Sequence, residues 1–285
     1  MSKISVQIKD ALEKLYARYN RREFIETDPL QFVYQYSERA DMEIAGLLAA
    51  ELAYGRVRQI QKSLTDLLAR MGDSPSAFVK NLDNKKRQKL KTFKHRFTTG
   101  DDITDLLESL GALIGKFGSM EKIFAAGCSP GDQNITNALT NFCDSILKSY
   151  TKLHNRPASK GLRYLLPRPT DGSACKRLNL FLRWMVRKDD VDPGPWKSIK
   201  KNMLIVPLDV HMTRLCRILG LYNQKTVSWE TAVKITQGFA VLEPADPVKY
   251  DFALSRIGIV EDCNGNYRPQ CRDCELFGLC CRRQS

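Results

Sequence analysis

Apolar residues recur at intervals of three and four positions along nearly the whole chain. The stretch DMEIAGLLAAELAYGRVRQIQKSLTDLLARMG, residues 41–72, shows this spacing and closes on Gly72. Residues 102–118, 134–153 and 228–242 show it too. Such a period places one apolar face along an α-helix, and glycine is common just after a helix ends. No segment shows a convincing strand-like alternation, so the sequence predicts an all-α fold.

Charge and length indicate what such a fold meets in the cell. The 285 residues are 43% hydrophobic and 27% charged, which is a globular composition, and their formal net charge is +13. A protein this basic is typical of those that bind a polyanion, most commonly nucleic acid. No apolar run approaches the roughly 18 residues of a membrane-spanning helix. The N-terminal MSKISVQIKDALEKLYARYN lacks the apolar core of a signal peptide, so we expect a cytoplasmic protein.

Five of the nine cysteines crowd into the last 23 residues, in the sequence CNGNYRPQCRDCELFGLCC. The first four are spaced C-x7-C-x2-C-x5-C, and four thiolates in one short loop bind either zinc or a [4Fe–4S] cluster. Zinc sites often show two C-x2-C pairs, whereas this loop has one, which favours the iron–sulfur cluster. The expected ligands are Cys263, Cys271, Cys274 and Cys280, with Cys281 as the alternative to Cys280. The other four are expected to be small core residues: Cys128, Cys143, Cys175 and Cys216.

The segment IVPLDVHMTRLCRILGL, residues 205–221, places a single carboxylate at the start of a basic helical pattern. Asp209 precedes a helix that carries Arg214 and Arg217. An Asp at this position is a good helix N-cap, because its side-chain oxygen accepts a hydrogen bond from an amide of the first turn. The same position suits an active-site acid. The sequence leaves both roles open, and one residue can serve both.

Two segments interrupt the helical spacing. NKKRQKLKTFKHRF, residues 84–97, has seven Lys and Arg between Lys85 and Arg96. It is either a solvated helix face or a surface that follows a phosphate backbone, because Lys and Arg release counterions from phosphates. The second segment, residues 165–202, begins with two prolines and Gly172, continues into an aromatic-rich helix and turns through PGP.

Two of these motifs together resemble the helix-hairpin-helix DNA glycosylase superfamily, which includes endonuclease III and the adenine glycosylases. The cysteine tail resembles its iron–sulfur loop, with seven residues in the first gap where that family usually has six. In PLDVHMTRLCRILGL, Asp209, His211 and Arg214 fall on the Asp, the His and the helix Arg of the corresponding family segment. LLAAE, which ends at Glu51, resembles an early helix that ends in Gln in that family. The likeness covers roughly residues 38–281.

The hairpin of that superfamily is present in altered form. Its Leu-Pro-Gly-x-Gly and following Lys correspond to DGSACK, where Gly172 matches the first glycine, Ala174 replaces the second and Lys176 takes the lysine position. The 33 residues from Lys176 to Asp209 exceed the spacing in endonuclease III. They are similar to the stretched hairpin of archaeal 8-oxoguanine glycosylases. The whole chain also resembles a bacterial family that is placed in this superfamily without a known substrate.

The resemblance implies a two-lobed architecture. Residues 38–200 would form a central helical bundle that contains the degenerate hairpin. Residues 1–37 and 201–285 would form a second helical lobe, which ends in the iron–sulfur loop of residues 263–281. The active site would lie in the cleft between the lobes. We expect a monomer that associates with the nucleoid and acts on double-stranded DNA containing a damaged base.

The resemblance and the chemistry of these residues predict excision of a base. Asp209 would stabilise the positive charge that develops on the sugar, and the Lys176 amine would attack C1′, which permits strand cleavage. A base flipped out of the stack needs aromatic walls, and the candidate walls are Phe181, Trp184 and Trp196. The expected DNA contacts are Gly172, Ser173, Ala174, His211, Arg214 and Arg272.

The stretched hairpin alone favours an oxidised purine, 8-oxoguanine in particular, as the lesion. Two alternatives stay open. In the first, the chain is a monofunctional glycosylase in which Lys176 is structural and Asp209 activates water. In the second, it is a DNA-structure-binding protein that has kept the fold and lost catalysis, as the altered hairpin permits.

Overall fold

The computed structural model describes residues 3–223, 226–261, 263 and 266–280. Within those ranges the chain is essentially all-α, as the apolar spacing predicts, and none of the helices is long and apolar enough to cross a lipid bilayer. The α-helices are α1 (Lys3–Tyr19), α2 (Arg39–Glu51), α3 (Val57–Met71), α4 (Pro75–Lys80), α5 (Asn84–Lys91), α6 (Gly100–Phe117), α7 (Met120–Ala125), α8 (Thr136–His154), α9 (Lys160–Leu165), α10 (Lys176–Val186), α11 (Val210–Ile218), α12 (Trp229–Leu242) and α13 (Asp251–Ile259). Short 3-10 helices cover Arg22–Ile25, Pro29–Gln35, Pro169–Asp171, Lys201–Met203, Pro269–Asp273 and Phe277–Leu279, and the strands are β1 (Lys94–His95) and β2 (Thr98–Thr99).

Several helix ends follow signals that are visible in the sequence. Thr99 and Asp102 form a capping box at the start of α6, in which each side chain accepts a hydrogen bond from the other residue's backbone N–H. α6 ends at Gly118, which has a left-handed φ of 93°. Ser228 caps α12 by accepting from the Thr231 amide. The predicted helices over residues 102–118, 134–153 and 228–242 are confirmed as α6, α8 and α12.

The segment predicted as one long helix, residues 41–72, is broken in its middle. α2 ends at Glu51 and α3 begins at Val57. Between them Gly55 has a φ of +103°, which a right-handed helix cannot include and which residues with a side chain rarely adopt. The apolar spacing continues across the break because both helices bury one face in the same core. Periodicity alone therefore does not reveal the break.

The basic segment of residues 84–97 is a helix followed by a tight hairpin. α5 carries most of its lysines, and the chain then forms the antiparallel strands β1 and β2, which pair Lys94 with Thr99 and His95 with Thr98. The sequence predicted no strand here, and that expectation was wrong. Two residues per strand are too few to show an alternating pattern, although His95 and Thr98 are buried and Lys94 and Thr99 are exposed.

The three aromatic residues predicted as walls of a base pocket lie in the core instead. Phe181 and Trp184 are on the inner face of α10, and all three side chains are no more than 1% exposed. The Trp196 ring packs edge-on against Phe181, with ring centroids 5.4 Å apart, and its Nε1 donates to Glu43 Oε1 at 2.8 Å. Each ring gains more by leaving water in this core than it would in an open cleft. Phe181, Trp184 and Trp196 are therefore corrected from pocket to core residues.

The N-terminal and C-terminal helices pack on one another, and most central helices pack around α6. α1 contacts α12 and α13, and α11 contacts α13. α10 packs against α2, while α6 packs against α5, α7 and α8. The N-termini of α10 and α11 are thus supported by different neighbours, and a cleft lies between them.

A buried network of charges fixes α10 in place. Arg183 Nε donates to Asp192 Oδ1 at 3.2 Å and Arg183 Nη1 donates to Asp251 Oδ2 at 2.5 Å. Arg187 donates to Asp192 and, through Nε at 3.0 Å, to Asp246. Both arginines and Asp192 are at most 2% exposed. The network joins α10 to the loop that follows it and to α13, so it sets the position of α10 relative to the C-terminal helices.

Replacing Asp192 with Asn should destabilise the protein strongly. The substitution removes one charge between two buried arginines, and an uncompensated buried charge costs about 3 to 5 kcal/mol. Urea unfolding followed by circular dichroism measures the loss. Asp190→Asn, at an exposed position of the same loop, is the control and should change stability by no more than about 0.5 kcal/mol. Equal stability of the two variants would contradict the role given to the network.

Candidate active site

Two residues that are 33 positions apart meet at the mouth of the cleft. Lys176 is the first residue of α10 and Asp209 is the N-cap of α11. Lys176 Nζ lies 2.7 Å from Asp209 Oδ2, and the two side chains are 37% and 31% exposed. The structure therefore brings together the two residues that the sequence selected as catalytic. Both remain within reach of a ligand because neither side chain is fully enclosed.

Asp209 carries out two structural tasks with its two oxygens. Oδ1 accepts a hydrogen bond from the Met212 amide at 2.9 Å, so the N-cap prediction is confirmed. Oδ2 faces Lys176. Burial alone would raise the pKa of Asp209, but the neighbouring Lys176 ammonium outweighs it and holds that pKa below its usual value. Asp209 is therefore ionised at neutral pH, as a residue that stabilises a cation must be.

A cavity of about 260 Å³ opens beside this pair. Lys176, Asp209 and His211 line it, and so do Arg183 and Asp251 of the buried network. The network that fixes α10 thus also forms part of the cavity wall. Any group that enters this cavity meets the Lys176–Asp209 pair and a surface of mixed charge.

A second cavity, of about 650 Å³, shares Gly55, Lys176 and Asp209 with the first. Tyr54 and Tyr164 line it, with ring centroids 5.7 Å apart in an edge-to-face contact. These two tyrosines, which the sequence did not indicate as site residues, line the cavity beside Lys176 and Asp209. The available signal was Gly55, because an isolated glycine within a helical pattern can mark a break that exposes its neighbours.

The predicted hairpin lies between α9 and α10. Gly172 has a φ of +75°, and Cys175, the N-cap of α10, has a φ of +47° and makes no side-chain capping bond. An uncapped helix start leaves backbone N–H groups that favour an anion. Gly172 is exposed and Ser173 half-buried, whereas the Ala174 side chain is buried, so Ala174 could reach DNA only through its backbone.

The other predicted DNA contacts occupy two separate places. His211 is exposed and lines the cavity beside Asp209, and Arg214, on the next turn of α11, is half-buried. Arg272 is exposed on the cysteine loop, where its Nε donates to the Tyr267 hydroxyl at 3.2 Å. The structure therefore groups His211 with the Lys176–Asp209 pair and places Arg272 on a different element.

Glu51, the residue aligned with the family's Gln, is completely buried behind the second cavity. Arg177 Nη1 lies 3.1 Å from Glu51 Oε2, but it donates its hydrogen bond to the backbone carbonyl of Glu51. Within the described residues, neither carboxyl oxygen of Glu51 accepts a hydrogen bond. Burial raises the pKa of Glu51 to about 7, although Arg177 opposes the shift. A neutral Glu51 can offer an O–H and a carbonyl oxygen, as a Gln offers an N–H and a carbonyl oxygen.

The four predicted ligand cysteines line a single cavity. Apolar side chains of α11 and α13 complete its wall, among them Leu215 and Ile257. The Arg268 amide donates to the Cys271 sulfur at 3.3 Å, a contact that stabilises negative charge on sulfur. The cysteines in this wall are Cys263, Cys271, Cys274 and Cys280. Cys281, the alternative ligand, and the last residues of the loop, Arg282 and Arg283, lie outside the described residues.

The spacing of these sulfur atoms bears on which group they could bind. Within the described residues, Asp105, Glu108 and His154 form a group whose potential ligand atoms lie within 4.8 Å of one another. The four cysteines do not form such a group. Four thiolates on one tetrahedral zinc, each about 2.3 Å from the metal, would be about 3.8 Å apart. On a four-iron cube each thiolate binds a different iron, so four such sulfurs lie farther apart than around one zinc.

Comparison with known proteins places most of the chain in one family. Residues 28–260 match the model of a family described as Protein of unknown function (DUF2400). No curated protein and no solved structure matches the chain. The matched region includes Lys176 and Asp209 and stops before the cysteine loop, and its description states no activity.

Glu51 should give the protein a stability that falls as pH rises. The unfolded chain loses this proton near pH 4.5, whereas the folded protein keeps it until about pH 7. The folded state thus binds more protons across that window, and its stability should fall by about 3 kcal/mol between pH 4.5 and 7 and level off above. Glu51→Gln should make the fall in stability smaller by this amount, as urea unfolding at a series of pH values would show. Glu38→Gln, at the exposed start of α2, is the control that should retain it; an unchanged slope in Glu51→Gln would contradict the assignment.

Proposed function

The chain belongs to the DUF2400 family, and from its cleft we propose that it is a DNA N-glycosylase with lyase activity. The observation that carries the proposal is the pairing of Lys176 with the ionised Asp209 at the mouth of the cleft. An amine nucleophile and a carboxylate at one point are the groups that base excision through a covalent Schiff-base intermediate uses. The net charge of +13 supports a nucleic acid as the substrate.

The proposed reaction begins with a proton transfer. Lys176 Nζ gives up a proton to solvent, which frees the nitrogen lone pair, while the ionised Asp209 beside it stabilises the positive charge that develops on the sugar. That pair bonds to C1′ as the bond to the base breaks, and the base leaves with the bonding electrons and takes up a proton. The sugar ring then opens to give a Schiff base. Loss of a C2′ proton expels the 3′-phosphate, and water finally releases the lysine.

The hairpin and the start of α10 are the proposed contacts to the DNA backbone. The uncapped N-terminus of α10 presents amide groups to an anion directly beside Lys176. Gly172 allows a close approach because nothing lies within 4 Å of where a Cβ would stand. Contacts of this kind fix the register of a protein on a duplex and carry no sequence information. We propose a monomer that works on double-stranded DNA in the nucleoid.

The proposed cofactor is a [4Fe–4S] cluster held by Cys263, Cys271, Cys274 and Cys280, with zinc as the alternative. The shared cavity of these cysteines and the N–H donor to Cys271 support a bound group at this place, and the single C-x2-C pair favours the cluster. When bound, such a group cross-links the loop and stiffens it. The cavity wall includes Leu215 of α11, so a rigid loop would also support the helix that begins at Asp209.

An oxidised purine such as 8-oxoguanine is the proposed lesion, and its support remains the long spacing between Lys176 and Asp209. Two observations favour the alternatives. The 2.7 Å contact engages the Lys176 amine in an ion pair with Asp209, which suits a monofunctional glycosylase in which Lys176 is structural and Asp209 activates water. The burial of Phe181, Trp184 and Trp196 removes the expected base pocket, which suits a DNA-structure-binding protein without catalysis.

Borohydride trapping distinguishes these possibilities. Wild type should form a covalent adduct with one of a panel of lesion-containing duplexes, and Lys176→Gln should form none because the Schiff base needs the amine. Asp209→Asn should keep the helix cap and slow base release about 100-fold or more. Lys160→Gln, which changes the first residue of α9, is the matched control. Base release without an adduct would support the monofunctional enzyme, and binding without base release would support the DNA-structure-binding protein.

Iron content tests the cofactor separately from catalysis. Protein purified without oxygen should be brown and contain about four irons per chain. Cys274→Ser should lose the colour and the iron and should unfold at a lower temperature, because the loop and α11 lose their cross-link. Cys128→Ser, at a half-buried cysteine outside the tail, should leave the iron content unchanged. A colourless wild type that contains zinc would contradict the cluster.

A further inference from the structure

One aromatic side chain projects into solvent close to the cleft. Phe97 is 71% exposed, the highest value among the large hydrophobic side chains of the described residues. Single exposed apolar residues are common and need no explanation. Phe97 differs because it lies at the tip of the β1–β2 hairpin, between Arg96 and the buried Thr98. Phe97 is the last residue of the basic segment of residues 84–97, and this segment has no role in the proposed chemistry.

The hairpin is anchored, at the pair of residues next to its turn, to Tyr54, which lines the second cavity. The Tyr54 hydroxyl donates to the His95 carbonyl at 2.9 Å and lies 2.8 Å from Thr98 Oγ1. The buried His95 ring contacts Ser63 Oγ at 2.9 Å and the Tyr54 carbonyl at 3.0 Å. Each strand of the hairpin is therefore tied to Tyr54, and the tip has a defined position next to the second cavity.

The turn itself has an unusual backbone. Arg96 has a φ of +51°, in the left-handed region that residues with a side chain rarely adopt. Such strain persists where the surroundings impose it, and it is found preferentially at functional sites. The Arg96 side chain lies over Gly55, where an added Cβ would come within 3.0 Å of Arg96 Cδ. Gly55 lines both cavities beside Lys176, so the strained tip and the cleft are adjacent.

The surroundings of the tip suit a duplex of DNA. Lys94 and Arg96 flank it and are exposed, as are Lys85, Lys89 and Lys91 of the preceding α5. In a DNA duplex the stacked bases lie between two phosphate backbones. The ring could contact the bases while the positive side chains around it contact the phosphates. A protein partner with an acidic groove would offer the charge without the parallel aromatic surfaces that a Phe ring prefers.

We propose that Phe97 inserts between base pairs of the bound DNA and fills the gap left by a nucleotide that turns towards Lys176. Extruding a nucleotide unstacks its neighbours, and an apolar side chain pushed into the step recovers part of the lost stacking. A rigid mount is needed because a mobile ring would lose conformational entropy on insertion. This inference deepens the proposed function and rests on it, since it requires DNA to lie in the cleft.

Tryptophan fluorescence tests the insertion without any turnover. In Phe97→Trp, the new indole should be quenched when a duplex with a central tetrahydrofuran abasic analogue is added, because stacking on bases quenches its emission. Leu153→Trp, at a 52% exposed position near the end of α8, is the matched control and should not respond. Wild type supplies the background from the native tryptophans. Both substituted positions are exposed, so folding should be unaffected.

Affinity for the same duplex gives a second readout. Phe97→Ala should weaken binding by roughly 5- to 150-fold, the range that corresponds to loss of one base–aromatic stack. Phe97→Leu should retain more affinity than Phe97→Ala, since a leucine can also act as a wedge. An unquenched Phe97→Trp together with unaltered binding by Phe97→Ala would overturn the insertion, whether or not wild type releases bases. Quenching without base release from lesion duplexes would leave the insertion standing and overturn the glycosylase.

Discussion

Two buried arginines, one on α10 and one directly after it, determine where the rest of the site can be. Arg183 and Arg187 are buried and are neutralised by Asp192, Asp246 and Asp251, which come from the following loop and from the C-terminal part of the chain. A buried cation must be close to its counter-ions, since separation in a medium of low dielectric is expensive. The ion pairs therefore permit one placement of α10 relative to α13, which packs on α11. The position of α10 in turn determines where its first residue, Lys176, lies.

The second half of the active pair depends on the C-terminal region. Asp209 begins α11, and Leu215 on that helix lines both the cavity beside Lys176 and the cavity of the cysteines. Arg18 of α1 pairs with Glu261 and Glu275 around the same loop, which ties it to the N-terminal helix. A change in the cysteine loop is thus transmitted through one short helix to the carboxylate. In the proposed function, a bound cluster would therefore influence the position of Asp209 and take no part in the chemistry.

The cleft owes its shape to the interruption between α2 and α3. α2 ends at Glu51, and Gly55 turns the chain towards α3. Tyr54, directly before this glycine, lines the second cavity, and the Arg96 side chain lies over Gly55. Glu51, at the last turn of α2, is left buried with Arg177 as its charged neighbour. One backbone conformation at a glycine therefore produces a cavity wall, a support for the β1–β2 hairpin and a buried carboxyl group.

Local sequence determined the class of the fold, many helix ends and the chemistry available at the site. The period of the apolar residues, the caps at Thr99, Ser228 and Asp209, and the crowded cysteines all depend on neighbours within a few positions. Such interactions leave a clear trace in the sequence, because the residues involved lie within one or two turns of each other. The selection of Lys176 and Asp209 came from motifs, and their contact could be anticipated only through the resemblance.

Tertiary structure alone decided which side chains face the cleft. Aromatic residues of this kind could stack on a base. Phe181, Trp184 and Trp196 are buried instead, because removing their large apolar surfaces from water stabilises the core. Tyr54 and Tyr164 line the cleft because Tyr54 lies in the break between α2 and α3 and Tyr164 lies on an exposed face of α9. The charge network likewise joins residues up to 68 positions apart. A one-dimensional pattern states which residues are apolar or charged, whereas their depth depends on how distant helices pack.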